Sequence, residues 1–163
     1  MTTNSKLLSN RAFLAIWIGD TVSTSGSILT ALALPITAAI FLKATPLEMG
    51  LLVAAQQAPR VVLSLHLGVL VGAHSKLTIM RLCQAGRALS LITIPLVYWL
   101  GSLTMAQLYV VGILNGIMSL AYSYADRSLL PKVVARDELL AANARMRTTS
   151  TIASSAVPGL GGA

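Results

Sequence analysis

The stretch GVLVGAHSKLTIMRLCQAGR, Gly68–Arg87, decides how this chain folds. At its centre Ala73-His74-Ser75-Lys76 is a short hydrophilic break between two long apolar runs, Gln56–Val71 before it and Ile79–Leu100 after it. Each run is long enough for a helix to cross a bilayer, which takes about 20 residues at 1.5 Å each. A tight basic turn between two such helices fixes the side of the membrane on which it lies. The other segments are ordered outward from that turn.

The chain has 163 residues, of which 55% are hydrophobic and 10% charged, and its mean hydropathy is +0.77. Soluble domains carry about 25% charged residues, so lipid is the expected solvent for most of this chain. A net charge of +7 raises nucleic-acid binding as a possibility. The charges lie between apolar runs instead of clustering on one face, which excludes a phosphate-binding surface. Cys83 stands alone inside an apolar run, so it reads as a small packing residue and no disulfide framework or paired-cysteine metal site is expected. The apolar run after Arg11 is about twice the length of a signal-peptide core and has no small-residue cleavage pattern behind it.

Taken in order, residues 1–11 form a basic cytoplasmic lead with Lys6 and Arg11. Four transmembrane helices are predicted, at about 12–42, 47–71, 77–100 and 105–125, with turns at Lys43-Ala44-Thr45-Pro46, at the organising break, and at Gly101-Ser102. Pro46 suits the first turn of the second helix. Residues 126–147, DRSLLPKVVARDELLAANARMR, form an amphipathic cytoplasmic connection broken by Pro131. Within it Asp137 is the expected N-cap of a surface helix ending near Met146. An apolar run resumes at Thr148 and reaches Ala163 after 16 residues, so the chain is expected to end within its fifth span.

Lysine and arginine test this topology. With the N-terminus inside, Lys6, Arg11, Lys76, Arg81, Arg127, Lys132, Arg136, Arg145 and Arg147 fall on the inner side, Lys43 alone on the outer, and Arg60 and Arg87 within spans. The bias places the N-terminus in the cytoplasm.

Polar residues inside spans are costly and face a cavity or a partner. Asp20, Thr24 and Ser27 share one face of the first span, flanked by Ser23 and Thr30. Gln56, Arg60 and Ser64 form a stripe on the second, with Gln57 beside it. Asn115, Ser119, Tyr122 and Asp126 repeat at helical spacing on the fourth. Such faces can serve to bond helices together; for Asp20 and Arg60 a water-filled path or mutual pairing is the stronger expectation. If the two pair, neutralising either alone harms function more than replacing both. Gly68-x-x-x-Gly72 and Gly112-x-x-x-Gly116 are small-residue pairs that let helices approach closely. His66 reads as packed and His74 as a solvated turn residue. Metal-ligand clusters, nucleophile elbows, phosphate-cradling glycine loops and paired catalytic carboxylates are absent from the sequence, so neither an enzyme nor a cofactor is expected.

Several stretches resemble the N-terminal half of a major facilitator superfamily transporter, in the bacterial drug and siderophore efflux branch of macrolide-efflux and enterobactin-exporter type. They are Leu8-Ser9-Asn10-Arg11-Ala12-Phe13, Thr30-Ala31-Leu32-Ala33-Leu34-Pro35, Ala54-Ala55-Gln56-Gln57-Ala58-Pro59, Gly86-Arg87-Ala88, and Leu129-Leu130-Pro131 through Glu138-Leu139-Leu140-Ala141-Ala142-Asn143-Ala144. Pro158-x-x-Gly161-Gly162 resembles the fifth-span glycine-proline motif of exporters. The likeness covers nearly the whole chain. It departs from the family in the second turn, where Gly68-Val69-Leu70-Val71 is kept but Gly72 and Ala73 stand at the Asp and Arg positions, leaving Lys76 as the one strongly basic residue. The aspartate thought to latch the family's two halves on the cytoplasmic side is therefore missing.

The resemblance implies an all-α, multi-pass membrane helical bundle, an incomplete six-helix half of that fold, in a bacterial cytoplasmic membrane. Its partners would be the bilayer and, once a second half is supplied, a small-molecule substrate. It implies part of a proton-coupled exporter of small apolar or drug-like molecules, inactive alone. Asp20, Thr24, Gln56, Gln57, Arg60, Asn115, Tyr122 and Asp126 would line the proton or substrate path, and Arg87 would be a buried structural or coupling charge. The alternative from another class is a non-transporting truncated membrane protein or an assembly partner.

Overall fold

The structure, a computed structural model, describes residues 11–133, 144, 146–148 and 151–152. Five helices follow one another among them: α1 (Arg11–Phe41), α2 (Pro46–Val62), α3 (Ser64–Ala73), α4 (Lys76–Trp99) and α5 (Met105–Val133). No strand occurs among the described residues. Among the described residues three helices are long and apolar enough to cross a membrane: Ile16–Phe41, Lys76–Trp99 and Met105–Leu129. In lipid a backbone must satisfy its own hydrogen bonds, and an uninterrupted helix does so. Residues 1–10 of the predicted N-terminal lead, most of the cytoplasmic connection and most of the predicted fifth-span start, including Pro158, Gly161 and Gly162, lie outside the described residues.

The second predicted span is not one helix. It divides at Leu63 into α2, of 17 residues, and α3, of 10. Pro59 lies one turn before the break; its ring removes a backbone donor and crowds the preceding turn, which bends helices at this distance. The pieces stay joined, since Leu63 N donates to Pro59 O at 2.9 Å and Leu67 N to Leu63 O at 2.9 Å. The helix predicted to end near residue 125 runs on through Pro131 to Val133, so Asp126 and the first part of the predicted connection are helical.

The turns follow from local chemistry. Thr45 and Glu48 form a reciprocal capping box before α2, Thr45 N donating to Glu48 Oε2 at 2.8 Å and Glu48 N to Thr45 Oγ1 at 3.4 Å. After α4, Gly101 takes φ +68° while its N–H reaches Tyr98 O at 2.9 Å and Ser102 N reaches Val97 O at 3.1 Å. That is a Schellman closure, and it needs a left-handed residue at Gly101.

The chain divides into two compact units, one of residues 31–125 and one drawn from 1–30 and 126–163. The first has two apolar clusters. Leu34, Ala38, Leu52, Leu108 and Val111 bring the end of α1 together with α2 and α5. Val71, Cys83, Ala121, Tyr122 and Ala125 join α3, α4 and α5. Cys83 is thus a packing residue. Gly116 makes the α2–α5 approach close: a Cβ there would meet Gln56 O at 2.5 Å. Nothing lies within 4 Å of the corresponding positions on Gly68 and Gly72, so of the two small-residue pairs one forms a helix seam in this unit.

The outward faces are apolar. Val61 and Leu65 are each 82% exposed, and Trp99 is 85% exposed. The buried set includes Arg87, Ser90 and Asn115 in the first unit, and Ser23, Thr30 and Asp126 in the second. Apolar side chains outside and polar ones inside suit a lipid surround, where Leu gains nothing by leaving the solvent.

Candidate functional site

Polar groups gather in two places, one in each unit. In the unit of residues 31–125 they form a ladder between α4 and α5. Asn115 Nδ2 donates to Ser90 Oγ at 3.0 Å and to Val111 O at 2.9 Å. Ser90 Oγ donates in turn to Arg87 O at 2.9 Å, and Thr93 Oγ1 to Ser90 O at 2.6 Å. Gln107 Nε2 donates to Thr93 O at 3.2 Å. Asn115 Oδ1 is buried and accepts no hydrogen bond from the described residues. Beside this ladder the Arg87 guanidinium, 5% exposed, lies within electrostatic reach of Tyr122 and Cys83. A groove of about 480 Å³ opens along the same helix pair, lined by Ser90, Thr93, Gln107, Val110, Val111 and Leu114.

In the other unit, α1 supplies Asp20 and the end of α5 supplies Asp126. Asp126 is 7% exposed, and its Oδ1 accepts no hydrogen bond from the described residues. The Asp20 carboxyl, half-buried, lies within electrostatic reach of Asp126, as does the Arg127 guanidinium. Three hydroxyls of α1 bond back to their own helix: Thr21 Oγ1 donates to Trp17 O at 2.8 Å, Ser27 Oγ to Ser23 O at 2.9 Å, and Thr30 Oγ1 to Gly26 O at 2.7 Å. Back-bonding of this kind removes a hydroxyl's need for a partner helix.

The predicted path residues are therefore treated unequally. Asn115 donates to Ser90, Tyr122 lies within electrostatic reach of Arg87, and Asp126 lies within electrostatic reach of Asp20. Gln56 donates to its own turn at Leu52 O, 3.5 Å away, and its carbonyl serves the Gly116 seam. Thr24 is half-buried, while Gln57 and Arg60 are exposed. Arg60 lies in the last turn of α2, where a cation complements the helix dipole and a long side chain can reach along the helix toward water. His66, expected to be packed, is exposed on α3, and His74 is exposed in its turn. Gly68 and Gly72 sit on α3, and Lys76 opens α4.

Sequence reading missed Ser90, Thr93 and Gln107. The available signal was Arg87, Ser90 and Thr93 at three-residue spacing on the third span, a polar stripe as regular as those recognised on the other three. No group of three or more metal-ligating side chains occurs among the described residues. No protein-family model, curated protein or solved structure matches this chain.

Proposed function

We propose that this chain is part of a secondary active membrane transporter, a proton-coupled exporter of small apolar or drug-like molecules that does not transport alone. The observation that carries the reading is the Asp20–Asp126 pair, two carboxyl groups on membrane-length helices within electrostatic reach of each other. A carboxyl held in an apolar span is expensive to keep there and marks an ion or proton route. Such a group takes up a proton when the route opens to one side and releases it when it opens to the other. The resemblance of the sequence motifs to the efflux branch of the major facilitator superfamily supports outward movement, a bacterial cytoplasmic membrane and a cytoplasmic N-terminus. The apolar groove between α4 and α5 suits a lipophilic cargo. Alternating access would come from a second six-helix half rocking against this one.

Energised efflux of ethidium and of a macrolide from cells carrying the complete reading frame for this chain tests the reading. Asp20→Asn or Asp126→Asn is expected to reduce efflux at least about tenfold at unchanged membrane level, as loss of a proton carrier should. Wild-type efflux in both variants, or no energised efflux of either probe by the parent, refutes it.

A further inference from the structure

The chain reverses between α3 and α4 over only His74 and Ser75. The last four carbonyls of a helix have no intrahelical donor, and a left-handed residue after the helix is the common remedy. His74 is instead extended, at φ −117° and ψ 166°. Side chains supply the donors. The Lys76 ammonium donates to Val71 O at 2.6 Å, Gly72 O at 2.8 Å and His74 O at 2.9 Å. An ammonium has three N–H groups, and all three have an acceptor here. His74 Nδ1 stands 3.0 Å from Leu70 O; since a carbonyl only accepts, the proton in that bond sits on Nδ1. The His74 backbone N–H reaches Val71 O at 3.4 Å.

We propose that Lys76 and His74 form a side-chain cap on the end of α3 that holds the α3–α4 turn as a rigid hairpin. The Lys76 charge is thereby committed to α3. It does not serve as a mobile latch for an acidic group elsewhere or as a ligand for lipid phosphate. Below the turn Val71 of α3 and Cys83 of α4 share one apolar cluster, which backs the same hairpin. The inference concerns the turn alone and does not rest on the transport reading.

Two measurements on the whole protein in detergent micelles test it. Acylation by an N-hydroxysuccinimide acetate, followed by mass spectrometry, compares Lys76 with Lys43, which is exposed in the α1–α2 turn. Lys76 is expected to react at least about tenfold more slowly, the factor that charge-assisted hydrogen bonds of this kind imply. Amide hydrogen exchange over residues 70–76 is expected to accelerate about tenfold in Lys76→Met by the same reasoning, and to be unchanged in Lys43→Met. Equal acylation rates, or unaltered exchange in Lys76→Met, overturns the proposal.

Discussion

Gly116→Ala places one methyl group where α5 passes α2. Its Cβ would lie 2.5 Å from Gln56 O and 3.1 Å from Pro59 Cγ. Carbon–oxygen contacts settle at about 3.3 Å or beyond, so the two backbones must part by about 0.8 Å on that measure. A rotamer change cannot relieve the clash, because the obstructing atom is a main-chain carbonyl. The separation also loosens Leu52 against Leu108 and Val111, which share a fully packed cluster. Overpacking of this kind costs about 1–3 kcal/mol, while replacing Gly by Ala inside a helix returns about 1 kcal/mol. Because the obstacle is main chain, the upper part of that cost applies, about 2–3 kcal/mol, so the net expectation is a loss of about 1–2 kcal/mol, or about 5- to 30-fold in the folded-to-unfolded ratio. Unfolding in mixed micelles with rising dodecyl sulfate, followed by circular dichroism, measures it. Other glycines serve as controls: nothing lies within 4 Å of a Cβ at Gly50 or Gly68, so Ala there should be neutral or stabilising. At Gly86 the obstacle is the Met118 side chain, 2.6 Å away at Cε, which can swing aside, and the cost should be smaller than at Gly116. A Gly116→Ala protein within about 0.5 kcal/mol of the parent, the range of an ordinary surface change, refutes the close seam.

Thr45→Ala removes the hydroxyl of the capping box and should cost about 1 kcal/mol in the same titration, with Thr45→Ser retaining most of the stability. A double-mutant cycle of Asn115→Ala with Ser90→Ala should give a coupling near 0.6 kcal/mol, about the average for hydrogen bonds between membrane helices; a coupling indistinguishable from zero denies the bond between α4 and α5. Because Asp20 and Asp126 are read as one pair, the Asp20→Asn, Asp126→Asn double variant should lose no more efflux than the worse single variant. Multiplicative losses indicate two independent sites.

Much of the helical plan was legible from hydropathy and turn residues. The expected limits 12–42, 77–100 and a start at 105 compare with Arg11–Phe41, Lys76–Trp99 and Met105. The break at Leu63 was not legible, because proline is tolerated within membrane helices and its presence at Pro59 does not say whether the chain bends. Nor was the length of α5. Asp126 and Arg127 resembled an exit from the membrane, yet charge does not interrupt backbone hydrogen bonding, and the helix continues to Val133.

Site residues divide along the same line. Helical periodicity grouped Gln56 with Arg60, and Asn115 with Tyr122 and Asp126, since spacing alone determines which side chains share a face. It is silent on which neighbour that face meets. Contacts between residues far apart in sequence separated Gln56, whose carbonyl packs at Gly116, from Arg60, which is exposed. They also joined Asn115 to Ser90, while the fold brings Asp20 within electrostatic reach of Asp126. By itself the sequence determined an all-helical chain with membrane-length apolar runs, because each helix satisfies its backbone within itself. The tertiary structure alone decided which polar groups meet, because those bonds depend on how close two helices come, and at Gly116 on the absence of a single methyl group.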